Sequence, residues 1–220
     1  KPIERFEEDP VRMIRAIRFS VKLGAKLDPK ISKSISNHAH LLSNIPAARL
    51  YDETIKLFHN DKSFEVFEQL LKFRLLKYLF GQTKETSFIN KTLMNTSKRI
   101  KNGKPVTPAF LFAVFLWSAQ NKRFNELNKK KKSRILLMMQ ASEDVISKQT
   151  KQVLMPRWLS NRVKDIWLMQ YQLESCSQKK AKELIAHPRF RMAYDFLVLR
   201  SESINPELAE RAQYWTMLQQ

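Results

Sequence analysis

An all-α fold is predicted by three features of the sequence. Only three glycines, Gly24, Gly81 and Gly103, occur in 220 residues, too few for the tight turns of a sheet-rich chain. Apolar residues recur mostly three and four positions apart, the period of a helix face. Proline follows a capping residue at Asp9-Pro10, Asp28-Pro29 and Thr107-Pro108, which pairs a side-chain acceptor with the pre-set φ that opens a helix.

Taken in order, Asp9-Pro10 starts the first helix as N-cap and N1, and Gly24 is its natural C′ stop. Asp28-Pro29 opens a second helix to about His38. A third begins near Asn44 to Pro46 and carries Leu50, Ile55, Leu57 and Phe58. A fourth, from Asp61, carries Phe64, Phe67, Leu70, Leu71 and Leu75, and Gly81 closes that section. A helix is expected from about Thr83 to Ile100, and Thr107-Pro108 opens a very apolar one through Trp117, the expected centre of a core. A long polar helix or helix pair spans about Asn121 to Gln149. Pro156 begins a helix through Tyr171, and further helices cover about Ser177 to Ala186, Pro188 to Arg200 and Pro206 to Leu218. There is no fixed-period repeat and no long low-complexity linker.

Lysine and arginine total 40 against 21 aspartate and glutamate, a formal net charge of +19. Such an excess makes a polyanion the expected partner, RNA or DNA ahead of a membrane surface, with a merely solvated basic surface as the alternative. The length suits one large domain or two small ones with a real core. Cys176 is the only cysteine, so an intrachain disulfide is excluded and a reducing, cytoplasmic setting is expected. The longest apolar run, Ala109 to Trp117, is too short to span a bilayer, and no membrane partner is expected. Lys1-Pro2-Ile3-Glu4-Arg5 leads into charge rather than into a signal peptide, and the first residue is not Met, which points to a cut inside a longer protein.

Chemistry concentrates in Glu8-Asp9-Pro10-Val11-Arg12-Met13-Ile14-Arg15-Ala16-Ile17-Arg18-Phe19. At about 100° per residue, Arg12, Arg15 and Phe19 share one side of the helix, Met13, Ile14, Ile17 and Val21 face a core, and Arg18 lies at the flank. A carboxylate accepts hydrogen bonds and a guanidinium donates them. Adenine and cytosine each show an amino donor beside a ring-nitrogen acceptor, so one Asp and one Arg pair with either, while guanine and uracil reverse the order. The remaining arginines can hold triphosphate oxygens or support the reading pair. The ordinary alternative is that Asp9 only caps the helix, with Glu8, Arg12 and Arg15 in weak surface ion pairs.

This segment, Glu8-Asp9-x-x-Arg12-x-x-Arg15-x-x-Arg18-Phe19, resembles the nucleotide-reading motif of the class II tRNA nucleotidyltransferase and bacterial poly(A) polymerase family. Ile45-Pro46-Ala47-Ala48-Arg49-Leu50, with Glu53 and Lys56, is similar to the family's next motif. Leu75 to Phe80, Pro105 to Phe110, Ile166-Trp167 and His187 to Leu197 resemble the poly(A) polymerase branch. The resemblance implies a helical neck over residues 1–60 and a helical, RNA-binding body and tail over residues 61–220. It implies a parent enzyme that adds AMP from ATP to RNA 3′ ends, with its Mg²⁺-binding carboxylates in a head domain outside this chain; the chain alone is expected to be inactive and to bind no Mg²⁺. Asp9 and Arg12 would read the base, Glu8 would orient Arg12, and Arg15 and Arg18 would support the site or face the triphosphate. Arg49 and Glu53 would buttress the first helix through ion pairing. A CCA-adding tRNA nucleotidyltransferase is the alternative within the family, and a non-enzymatic helical RNA-binding module the alternative outside it.

Other constellations are thinner. The run Lys129, Lys130, Lys131, Lys132 offers phosphate contacts or a solvated loop. Arg157, Arg162 and Lys164 stand among Trp158 and Trp167, the mixture of cations and aromatics that suits single-stranded RNA, with a core role as the alternative for Trp158 and as the favoured one for Trp167. Arg189 and Arg191, beside His187, form another basic cluster near a helix start. His38, His40, His59 and His187 lack metal-ligand spacing, which favours surface or capping roles.

Overall fold

The structure, a computed structural model, describes residues 2–84, 87–128 and 133–219. All regular structure among them is helical, as the scarce glycines and helical spacing predict. The first half holds α1 (Pro2–Glu8), α2 (Val11–Leu23), α3 (Pro29–His38), α4 (Ala47–Phe58), α5 (Ser63–Lys72), α6 (Leu76–Leu79) and α7 (Ser87–Lys101). The second holds α8 (Pro108–Leu127), α9 (Arg134–Gln152), α10 (Arg157–Ser175), α11 (Gln178–Ile185), α12 (Phe190–Ser201) and α13 (Ala209–Met217). Short 3-10 turns at Ala39–Asn44 and Pro206–Leu208 complete the path. No helix among the described residues is long and apolar enough to cross a membrane.

Local sequence signals explain several boundaries. Gly24 takes φ 65° and ends α2 in a Schellman turn, with Gly24 N–H donating to Val21 O and Ala25 N–H to Ser20 O. Gly24→Ala is expected to cost about 1–2 kcal/mol, the Cβ penalty of the left-handed region, as a lowered urea midpoint. The Asp28 carboxylate caps α3 by accepting from Lys30 N–H at 2.7 Å. The Thr107 hydroxyl caps α8 by accepting from Phe110 N–H, with Pro108 at N1.

Other expectations are corrected. Asp9 does not cap: α2 begins at Val11 behind Pro10, and no side chain accepts from its first turn. The helix read as ending at Trp117 runs on to Leu127, because no Pro or Gly interrupts it and Gln120, Phe124 and Leu127 continue its buried side. The segment expected as one polar helix or pair from Asn121 is the tail of α8 plus α9.

The described chain divides into two compact units that interleave in sequence. Unit 1 comprises residues 1–83, 93–106 and 147–155. In it α2 packs on α4 and α5, and α1 on α3. Val11, Met13, Ile14 and Ile17 are fully buried on one side of α2, each worth about 1.5–3 kcal/mol of apolar burial. The later segments are tied in by polar bonds: His59 Nε2 donates to Val106 O at 2.7 Å, Gln149 Nε2 to Leu79 O at 2.7 Å, and Leu154 N to Ala47 O at 3.0 Å.

Unit 2 comprises residues 84–92, 107–146 and 156–220. α10 lies at its centre, packed on α8 and α12. Trp167 is fully buried, as the core alternative has it, and its indole N–H donates to Ala113 O at 3.1 Å. Phe196 is met edge-on by Phe88 and Trp117, with ring centroids 5.1 and 5.3 Å away. Arg200 is buried beside them, its guanidinium 4.4 Å from the Trp117 ring and hydrogen-bonded to Glu174 at 2.6 Å and Gln170 at 3.2 Å. Burial pushes its pKa down, and the neighbouring Glu174 carboxylate opposes that shift.

Candidate functional site

The helix α1 ends at Glu8 and α2 starts at Val11, so Asp9 and Pro10 form a two-residue corner. The corner brings Asp9 within reach of α4. Arg49 Nη2 donates to Asp9 Oδ2 at 2.9 Å, and Arg12 Nε lies 3.8 Å from the same oxygen. Arg12 is oriented from behind: its Nη1 donates to Glu8 Oε2 at 3.4 Å and to Arg5 O at 3.5 Å. Asp9 Oδ1 is closed off and has no hydrogen-bond partner among the described residues. The Asp9 side chain is 17% exposed and that of Arg12 42%. A sheltered acceptor thus stands beside an accessible donor fork.

One turn further along α2, Arg15 is committed elsewhere. Its Nε and Nη2 both donate to Glu53 Oε1, at 3.1 and 2.7 Å, and Lys56 Nζ joins the same oxygen at 3.2 Å. Glu53 is 2% exposed. Burial alone would raise its carboxyl pKa, but the hydrogen bonds and charges of Arg15 and Lys56 outweigh it and hold the group below the ordinary value. The hydrogen bond to Glu53 raises Arg15 in turn. Arg49 and Glu53, one turn apart on α4, therefore pin the start of α2 at two points.

Arg18 lies with its guanidinium 4.6 Å from the centre of the Phe19 ring, and its Nε has no hydrogen-bond partner among the described residues. Phe19 is 46% exposed. Arg12, Arg15 and Phe19 keep solvent access while Met13, Ile14 and Ile17 are buried, the division the periodicity predicts. Lys62 is a contributor that sequence reasoning misses. Its Nζ donates to Val21 O and Lys22 O, at 3.0 and 3.1 Å, and satisfies carbonyls at the end of α2. Its partners lie about 40 residues away in sequence, so no local pattern reveals it.

The basic candidates of unit 2 divide into two groups. Arg157 and Arg162 form no ion pair with a described residue, and the Arg162 guanidinium lies 5.4 Å from the centre of the exposed Trp158 ring. Lys164 pairs with Glu143, Arg189 with Asp165, and Arg191 with Asp195 at 3.1 Å. Lys129, Lys130, Lys131 and Lys132 lie outside the described residues. The histidines serve as hydrogen-bonding groups: His38 Nδ1 faces Ser34 O at 2.8 Å, and His187 Nδ1 accepts from Arg189 N at 3.2 Å. Among the described residues no three His, Cys, Asp or Glu side chains come together in a set that would hold a metal ion.

Comparisons with known proteins bear on the whole chain. A family described as "Polymerase A arginine-rich C-terminus" matches residues 130–220, and one described as "Probable RNA and SrmB-binding site of polymerase A" matches residues 24–86. Poly(A) polymerase I of Salmonella typhi is 34% identical, over 99% of this chain and 50% of that protein. The Haemophilus influenzae poly(A) polymerase I is 32% identical over 97% of this chain and 50% of its own length. The chain spans about half the length of these curated relatives. A CCA-adding enzyme of Bacillus subtilis is 37% identical over only 37% of the chain and 20% of that protein. Among solved structures, a Thermotoga maritima CCA-adding enzyme complexed with tRNA superposes with a TM-score of 0.53 at 18% identity, over 95% of this chain and 45% of that one, a likeness of fold.

Proposed function

We infer that this chain, which belongs to the bacterial poly(A) polymerase family, is the nucleotide-selecting and RNA-holding part of an enzyme that adds AMP from ATP to RNA 3′ ends. In that reaction the 3′ hydroxyl attacks the α-phosphate of ATP and pyrophosphate leaves. Residues 1–60 act as the neck that reads the base, and residues 61–220 as the body and tail that hold RNA. The observation that carries the reading is the Asp9–Arg12 pair. Asp9 keeps one carboxylate oxygen uncommitted while Arg49 holds the other, and Arg12 presents its fork from a frame set by Glu8. Asp9 accepts from the adenine amino group and Arg12 donates to the adjacent ring nitrogen.

Arg15, bound to Glu53, fixes the attitude of α2 rather than touching the nucleotide. Arg18, with its unsatisfied Nε, is the arginine left to face phosphate. Arg157 and Arg162, with Trp158 beside them, can hold single-stranded RNA as they stand. Lys164, Arg189 and Arg191 contribute to RNA by exchanging a carboxylate for a phosphate. The Lys129 to Lys132 run adds charge for the same purpose. The described residues offer no ligand set for Mg²⁺.

The Asp9–Arg12 pair accepts cytosine as well as adenine. The near-complete coverage by poly(A) polymerases, against partial coverage by a CCA-adding enzyme, favours ATP. The test is primer extension by the complete enzyme on an RNA with a free 3′ hydroxyl, given ATP and CTP separately. Long adenylate tails with ATP and negligible extension with CTP are expected. Incorporation of C ahead of A would overturn the assignment.

A further inference from the structure

A cavity of ≈ 650 Å³ opens in unit 2 between the start of α7, the middle of α8 and the turn at Ile204 and Asn205. One wall is apolar, built by Phe88, Ile89, Val114 and Trp117. Along the other runs a row of α8 side chains, Ser118, Asn121, Lys122 and Asn125, whose spacing places them on one helix face; the Glu126 carboxylate also lines this wall and is held by Arg123 at 3.2 Å, so a phosphate at Lys122 has to displace it from the lysine. The row's serine and two asparagines are uncommitted. Ser118 Oγ is closed to solvent without a hydrogen-bond partner among the described residues, and the Asn121 and Asn125 amides form no hydrogen bond with any described residue. Lys122 at the rim is only loosely paired, its Nζ 4.0 Å from Glu126.

The far side is held in place. Asn205 accepts from Arg200 Nη2 at 3.4 Å and donates to Glu207 Oε1 at 2.7 Å. Arg200 is the buried cation that also lies against Trp117. Both Trp117 and Asn205 line the cavity, so its wall and its lip share one anchor.

A fitting ligand has a flat apolar body, an edge carrying donor and acceptor together, and negative charge near Lys122. An asparagine amide pairs bidentately with adenine, accepting from N6 and donating to N7, and unstacked bases are the part of single-stranded RNA that proteins read. The volume lies in the range of small-molecule pockets. We propose that this cavity binds an adenine base of RNA, with a flanking phosphate at Lys122, and so gives the protein a preference for A-rich single strands at a site separate from Asp9 and Arg12. The proposal rests on the reading of the chain as RNA-binding.

The test is fluorescence anisotropy of the 220-residue chain with labelled oligo(A) and oligo(U) of equal length. Oligo(A) is expected to bind tighter, and the Asn121→Ala/Asn125→Ala double variant to lose about 10-fold for oligo(A) and less than about 2-fold for oligo(U). Both asparagines are exposed, so the variant is expected to keep the wild-type melting curve. Ser118→Val reports from the closed end of the row and is expected to weaken oligo(A) in the same selective way. Equal losses on both RNAs, or unchanged oligo(A) affinity with RNA still bound, would overturn the adenine site while leaving RNA binding intact; the second result would hand the cavity to an occupant such as a peptide. Failure of the wild type to bind either RNA would overturn both readings.

Discussion

On the proposed base-reading role, Arg12→Ala in the complete protein is expected to lower kcat/KM for ATP by about 10- to 100-fold, the scale of losing a directed hydrogen-bond donor to a substrate, and to relax discrimination against GTP. Arg12 is the accessible half of the proposed reading pair. Its removal leaves Asp9 with Arg49 alone, so the acceptor stays and the donor that the proposal assigns to the ring nitrogen goes. Stability is expected to change by less than about 1 kcal/mol, because the pairs Arg12 makes with Glu8 and Asp9 are half-exposed. Arg12→Lys is expected to rescue little, since a point charge does not reproduce the planar fork. Steady-state extension rates with ATP and with GTP separate these outcomes. Wild-type kinetics with ATP in Arg12→Ala would remove Arg12 from base reading.

The second large effect concerns Arg15 and Glu53. Arg15→Ala leaves a carboxylate that is 2% exposed with Lys56 as its remaining hydrogen-bond donor. A loss of about 2–3 kcal/mol is expected. The pair also sets an acid limit. The Glu53 carboxyl is held below its ordinary value of 4.5 in the folded chain, so its stabilisation is complete above that value and disappears as pH falls through the lower, folded-state one. In Arg15→Ala the largest counterweight to burial is gone, the folded-state value rises toward or above the ordinary one, and Glu53 contributes less acid-labile stability than in the wild type. Arg15→Met combined with Glu53→Leu is expected to be less damaging than Arg15→Ala, because no buried charge is then stranded. Trp117, Trp158, Trp167 and Trp215 all belong to unit 2. Hydrogen exchange in α2 and α4 is therefore the readout for unit 1. Unchanged exchange there in Arg15→Ala would contradict the anchoring role.

What was legible in the sequence was what is local. Asp28-Pro29, Thr107-Pro108 and Gly24 act within a turn of their own position, and each does in the structure what its chemistry dictates. The buried side of α2 follows from spacing alone. Asp9 shows the limit. Its place before a proline reads as a cap, yet its carboxylate turns to Arg49, 40 residues on, a partner that only tertiary packing supplies. The sequence carries no periodic signal for α1 because its stretch is mostly charged, with Phe6 its buried hydrophobic anchor among the described side chains. The buried Arg200 network was invisible for the same reason as Lys62: its partners Gln170 and Glu174 lie on another helix. In Glu8 to Arg18 the residue types announced a donor and an acceptor side by side. Which arginine is free and which is tied down required the fold.

The interleaving of the two units bears on the order in which they can form during synthesis. Within this chain residues 1–83 are synthesised before the rest, but the strap containing His59's acceptor ends at residue 106 and the segment bearing Gln149 and Leu154 ends at residue 155. Unit 1 therefore cannot close its polar ties until well over half the chain has been translated. Until then Leu79 O and Ala47 O lack the donors they have in the finished structure. Chain elongation, rather than local helix formation, sets the earliest moment at which unit 1 can be complete.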